Sequence, residues 1–262
     1  MATNPSEEKP TPASIAAFVK SNAARARKAQ QMHHGTAEVT RLGFAGDRQY
    51  ALFDVATGFG LTARRVPQLL FASARVRTDD SVEITLPDGS VAVDDDALST
   101  WLGRQVTLRA ADSSSTPRRY ENVADFEHEP SSSWQSFDGS AGAFHDSAGA
   151  CVSLLSQTTI EGWASRRFRA NVLLERGPED ALVGSRVQIG SACLHVGMHI
   201  TRCIMVTRPQ PGGIDRDLDV LRRIHRGRNS CLAVGATVHQ PGTVRVGDAL
   251  QPGGHESSRS LS

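Results

Sequence analysis

Four cysteines, at positions 151, 193, 203 and 231, are the residues of this sequence with the widest chemistry. None belongs to a C-x-x-C pair, which argues against a ribbon-type zinc site, a ferredoxin cluster and a thioredoxin-like motif, so any thiol chemistry is solitary. Cys203 stands apart because it lies in TRCIMVT, directly after Thr201 and Arg202 and just before the loop RPQPGG. A cation beside a thiol lowers the cost of a negative sulfur, which favours thiolate character at Cys203, against the alternative of a small packed strand residue. Cys151, Cys193 and Cys231 sit in apolar segments and read as packing residues. Cys193, His195, His199 and Cys203 have ligand types that suit tetrahedral zinc, but they converge only if the chain turns near Gly197. His145-Asp146 supplies two members of a hydrolase triad, yet no G-x-S-x-G elbow accompanies it.

Arginine is the other informative type. The only lysines are Lys9, Lys20 and Lys28, so the rest of the chain offers no lysine for a P-loop, a Schiff base or a general base. Arginine instead presents a fixed fork of donors that matches phosphate or carboxylate. Arg64 and Arg65 in GLTARRVPQLL, Arg166, Arg167 and Arg169 in ASRRFRAN, and Arg202 form three separated clusters that can converge on one anion or else remain solvated and salt-bridged.

The elements that must position these residues are mostly strands. RQYALFD, LLFASARV, SVEITL, SVAV and QVTLRA alternate or run apolar between turns, and Asp88-Gly89 stands where a type I′ hairpin turn is expected. DDDALSTWLGR reads as one helix, capped by aspartate, with Leu98, Trp101 and Leu102 on its apolar face. Residues 112 to 150 read as a long loop or connection. LLSQTTIEGWASRRF reads as a helix, ANVLLE, VQIG, CLHVG and TRCIMVT as strands, DRDLDVLRRIHRG as a helix, and CLAVGATV and TVRVGD as closing strands. The expected fold class is mainly β with a few helices, an α+β arrangement of two β-barrel-like domains. The expected divisions are a poorly ordered or helical leader over 1–35, an N-terminal barrel over 36–111, a second barrel with its connecting region over 112–252, and a disordered tail over 253–262.

The 262 residues, 39% hydrophobic and 22% charged, suffice for a globular core. A formal charge of +1 provides no global field for nucleic acid or an anionic membrane. No apolar window reaches the length of a membrane span and MATNPSEEKP lacks the apolar core of a secretory signal, so the expected location is cytoplasmic.

The stretch from Cys193 to Asp248, with TRCIMVT, LRRIHRGRNSCLAVGATV and PGTVRVGD, resembles a MOSC domain, the module named from the C-terminal part of molybdenum cofactor sulfurases. Upstream, LGFAGDRQYALFD and LTARRVPQLL resemble the β-barrel domain that precedes MOSC in the amidoxime-reducing component and its bacterial relatives, and FHDSAGACVSLLSQTTIEGW and RFRANVLLE match the joining region. The resemblance implies that Cys203 supplies a thiolate to molybdenum in a molybdenum-pterin cofactor, where a soft sulfur ligand is apt. It implies cofactor contacts from Arg64, Ser156, Arg169, Asn171, Thr201 and Arg202. The implied function is an oxidoreductase acting on small N-hydroxylated or N-oxide compounds, with a separate electron-donor protein. Relatives carry a Y-P-[VI]-K-[SG] segment upstream of G-x-x-G-D-R, whereas this chain has AQQMHHGT there, and RPQPGG replaces the common D-P-x-T-G after the cysteine. The departure implies a truncated start or a lost part of the site, and keeps open two alternatives: a sulfur carrier using a Cys203 persulfide or a pterin-binding module, and a non-catalytic relative.

Overall fold

Short alternating runs in the first half fold as strands because each presents one apolar face to a shared core. The computed structural model of the chain describes residues 35–77, 81–111, 118–160 and 162–253; the helix expected over 13–31 and the tail after 253 lie outside them. The first half comprises β1 (Thr36–Thr40), β2 (Gly43–Phe44), β3 (Tyr50–Asp54), β4 (Ser73–Val76), β5 (Val82–Thr85), β6 (Val91–Ala92), α1 (Asp95–Leu102), β7 (Val106–Ala110), β8 (Arg118–Val123) and β9 (Trp134–Gly139). β3 pairs antiparallel with β7, β4, β5 and β6 form a meander, and β8 and β9 form a hairpin. The expected helix is present as α1. Asp94 Oδ1 accepts the Ala97 N–H at 2.8 Å, Gly103 closes the helix at φ 65°, and Leu98 packs with Leu52, Ile84 and Val106.

Two sequence expectations change here. The β5–β6 turn has only one positive φ, at Gly89 (87°), not the two a type I′ turn requires; the Gly89 N–H donates to the Leu86 carbonyl at 3.0 Å with Pro87 in between. Residues 112 to 150 contain the β8–β9 hairpin, hidden in the sequence because only Arg118, Tyr120 and Val123 of β8 are buried.

The second half comprises β10 (Val152–Ser156), β11 (Val172–Leu174), β12 (Arg186–Ile189), β13 (Ala192–Thr201), α2 (Leu218–Gly227), β14 (Cys231–Gln240), β15 (Gly242–Arg245) and β16 (Leu250–Pro252). Six of these strands form one sheet in the order β11-β10-β14-β13-β12-β16, antiparallel except for the β10–β11 pair. Bulges along β13 bend the sheet, and it buries apolar residues on both faces. One face holds Leu154, Val196, Val234 and Ala236; the other holds Leu155, Leu232 and Ala233 under α2, which contributes Val220, Leu221 and Ile224.

That double burial explains a further difference. LLSQTTIEGWASRRF is not a helix but strand β10, then turns and a 3-10 segment at Ser165–Phe168. Successive residues Leu154 and Leu155 point to opposite faces and both are fully buried, so the strand VSLLS lacks the apolar-polar alternation of a half-buried strand. TRCIMVT likewise is not a continuous strand: β13 ends at Thr201 and Ile204–Thr207 form a 3-10 turn anchored by buried Ile204 and Val206. The two halves are tied at their extremes, since β1 lies between β2 and β15 with Thr36 opposite Arg245. No helix among the described residues is long and apolar enough to cross a membrane.

Tyr120 fixes the β8–β9 hairpin against the first half. A Cβ on Gly60 would stand 2.3 Å from the ring, and one on Gly139 would stand 2.4 Å from its other edge. The buried ring cannot retreat, so Gly60→Ala should cost about 1–3 kcal/mol in urea unfolding, as overpacking does. Gly227→Ala, whose Cβ meets nothing within 4 Å, should be neutral or slightly stabilising in the same assay.

Candidate functional site

Strand β13 delivers Thr201, Arg202 and Cys203 to its end, where the buried turn Ile204–Thr207 stops the ladder and leaves Cys203 half-buried. Arg64 comes from the other half of the molecule, in the turn ahead of Pro67, and is almost wholly buried. Its Nε donates to the Cys203 sulfur at 3.3 Å and its Nη2 donates to Asp146 Oδ2 at 2.6 Å. Burial alone would push this guanidinium down, but attraction from the Cys203 sulfur and the Asp146 carboxylate outweighs it and holds Arg64 above its ordinary range. A charged donor aimed at sulfur across a domain boundary is an arrangement that suits an anionic sulfur ligand.

Arg202 is turned inward. Its Nε donates to the Leu232 carbonyl at 2.6 Å, its Nη1 donates to the Phe168 carbonyl at 3.0 Å, and its buried Nη2 has no hydrogen-bond partner. Burial pushes Arg202 down to about 10, against the pull of Cys203 and Glu179, so it stays charged at neutral pH with one donor unused. Arg169 follows the Ser165–Phe168 turn in a left-handed conformation at φ 49°. It is exposed, yet loss of hydration is the largest influence pushing its guanidinium below the ordinary range, and Arg48 adds to that push.

Asn171 anchors the remaining wall. Its Oδ1 accepts from the Ser153 N–H at 3.0 Å and the Ser153 hydroxyl at 2.8 Å, and its Nδ2 donates to Asp47 Oδ2 at 2.8 Å. The same Asp47 oxygen takes Arg48 Nη1 at 2.8 Å, and Arg48 also occupies a left-handed backbone at φ 54°. Thus Arg64, Arg169, Arg202 and Cys203 share one region, and Asn171 enters it through Asp47 and Arg48. Ser156 and Thr201 bond elsewhere. Ser156 is fully buried with its hydroxyl on Thr158 Oγ1 at 2.8 Å, and its N–H donates to Glu179 Oε2 at 3.3 Å. Thr201 is exposed with its hydroxyl 3.8 Å from the Cys231 sulfur across β14.

Several contributors escape the sequence. Asp47 and Arg48 lie inside the G-D-R element without marking themselves as site residues, and Asp146 looks like a triad member but serves as the outer tether of Arg64. Arg208 and Glu129 carry no local signal, being 79 residues apart. Arg208 is buried, donates from Nη1 to Glu129 Oε2 at 2.8 Å, donates from Nη2 to Glu129 Oε1, and gives the Arg64 carbonyl a 2.5 Å hydrogen bond. This pair holds the backbone of Arg64 against the loop that follows Cys203. Arg167 serves the same loop, donating to the Asp215 carbonyl at 2.7 Å, while Arg65 is stacked on Trp134 with its guanidinium carbon 4.3 Å from the ring centre. β13 continues through Gly197 with a bulge rather than a turn, so Cys193 and Cys203 stand at opposite ends of it, and no group of three or more His, Cys, Asp or Glu among the described residues could hold a metal ion.

His145, next to Asp146, is buried with Nε2 2.8 Å from the Leu42 carbonyl, and burial pushes it below its ordinary 6.5. The neutral ring donates that hydrogen bond. The unfolded chain takes up its proton first as pH falls through about 6.5, so His145 removes stability on acidification until the lower folded value is passed. Urea unfolding measured from pH 7.5 to 5.5 should show this loss, and His145→Gln should flatten that part of the profile.

The MOSC domain family model matches residues 143–251, and the MOSC N-terminal beta barrel domain model matches residues 27–150. No curated protein is a significant match to the chain. Three chains of solved structures match, among them YiiM from Geobacillus stearothermophilus, at 13% identity over 53% of this chain and 74% of that chain with a TM-score of 0.34. With the two models running in succession from residue 27 to residue 251 over a mainly β structure, the chain belongs to the MOSC family, as a MOSC N-terminal β-barrel domain followed by a MOSC domain.

Proposed function

We propose that the protein is a molybdenum-pterin-dependent oxidoreductase that removes oxygen from small N-hydroxylated or N-oxide compounds, with Cys203 as the thiolate ligand of the metal. MOSC domains are associated with molybdenum-cofactor sulfurase-like proteins. The observation that carries the finer reading is the half-buried Cys203 sulfur receiving a hydrogen bond from buried Arg64. A lone soft sulfur fits a molybdenum centre, and the unused Nη2 of Arg202, with Arg169 and Arg48 nearby, fits a phosphate-bearing pterin. When bound, the cofactor supplies the redox chemistry. The chain does the rest: Arg64 orients the sulfur, Asp146 fixes Arg64 from the solvent side, Arg208 and Glu129 hold its backbone, and Arg169 and Arg202 place the anionic end. Electrons come from a separate donor protein in this reading.

A persulfide carrier is the second reading, favoured by one observation: the stretch upstream of the G-D-R element reads AQQMHHGT, without the proline-lysine segment that supplies cofactor contacts in the relatives. Protein produced in a host that makes molybdenum cofactor separates the two. The oxidoreductase reading expects near-stoichiometric molybdenum, and a drop of about a hundredfold or more in reduction of an N-hydroxylated amidine on Cys203→Ser, beyond what loss of a metal-site support costs. Molybdenum at trace levels, with an adduct of about 32 Da on the wild type that vanishes in Cys203→Ser, would replace it with the sulfur carrier.

A further inference from the structure

The outer face of the second sheet carries a second cluster of donors at the far end of β13. Arg186 on β12, His195 on β13 and Thr237 on β14 are successive register partners and form one row across three strands. His239 lies two residues further along β14, and Arg41 reaches in from the turn between β1 and β2. With Val238, these residues line an open depression of about 310 Å³. His195 and Cys203 are eight residues apart on an extended course, roughly 25 Å at the strand rise, so this is not the site already described.

Two features point to a ligand. Among the described residues no carboxylate lines the depression and neither Arg41 nor Arg186 forms an ion pair, whereas Arg75, Arg77 and Arg104 face carboxylates. Arg186 is also held in place, since its carbonyl accepts the Gly253 N–H at 2.7 Å and Gly253 packs close against its Cβ. Arg41 and Arg186 line one depression, and an oxyanion placed there gives each guanidinium a charge-assisted partner.

We infer that Arg41, Arg186, His195, Thr237 and His239 form a binding site for the phosphate group of a small phosphomonoester. Arginine forks satisfy two phosphate oxygens each, the imidazoles and the Thr237 hydroxyl supply single donors, and the volume beyond the phosphate accommodates a short organic body.

Calorimetric titration of the full chain at pH 7 and constant ionic strength tests this, with inorganic phosphate, glycerol phosphate and glycerol as separate ligands. Saturable one-to-one binding of both phosphates and none of glycerol is expected, with glycerol phosphate the tighter. Arg186→Gln and, separately, His195→Gln should weaken both by about tenfold and threefold, corresponding to roughly 1.4 and 0.7 kcal/mol, with unchanged circular dichroism and molybdenum content. Cys203→Ser should bind phosphate as the wild type does. The inference fails if phosphate shows no saturation below about 10 mM, if chloride competes equally, or if binding survives Arg186→Gln and is lost in Arg169→Gln, which would move the anion to the Cys203 region. Failure here leaves the molybdenum reading untouched, because none of the residues lining the depression belongs to the Cys203 region.

Discussion

The guanidinium of Arg64 reaches from one domain to a sulfur of the other, and the geometry around the candidate site depends on that reach. A buried cation is stable only if its charge is matched and its donors are used. Arg64 meets both demands with partners that are themselves the site: Cys203 on one side and Asp146 on the other. Its backbone is secured separately, through the carbonyl that accepts from Arg208, which in turn grips Glu129 with two nitrogens. Removing Glu129 would leave the buried Arg208 cation without a carboxylate, a loss that commonly amounts to about 3–5 kcal/mol. The sulfur therefore has a fixed electrostatic environment before any ligand arrives, which spares a ligand the cost of ordering it.

The sheet of the second half explains why the sulfur stands where it does. β13 is long and bulged, its inward residues are sealed in the core, and it ends where Arg202 turns its donors onto the Leu232 and Phe168 carbonyls. Cys203 is the next residue, and the 3-10 turn that follows buries Ile204 and Val206 to hold it. The cysteine is thus placed by apolar anchors on one side and by a buried cation on the other. The left-handed backbones of Arg48 and Arg169, which a side chain adopts only at a cost, are further signs that arginines are being aimed rather than merely exposed.

Much of this was legible in residue order. The α1 cap, the strand alternation of β3, β5 and β7, and the distinction of Cys203 from the other cysteines all rest on local chemistry, and the structure brings the Arg64 guanidinium to the Cys203 sulfur. What the sequence hid was non-local. β10 passes for a helix because burial on both faces erases alternation, and the β8–β9 hairpin passes for a loop because few of its residues are buried. Glu129 and Arg208 meet across 79 residues with no periodicity to announce them. Ser156 and Thr201 show the converse: their motifs stand out, while their hydroxyls are engaged with Thr158 and with Cys231.

The pairing of β1 with β15 means that the earliest described strand is stitched to one of the closing strands, so the two family modules are interlocked rather than strung like beads. A fragment holding only the later module would leave β15 without the strand it pairs with, an invitation to intermolecular strand addition, and would also lack the cation that faces its sulfur. Gain or loss of the leading module in such a chain is therefore not a matter of adding a neighbour. It alters the chemistry of the thiol and the colloidal behaviour of the whole in a single step.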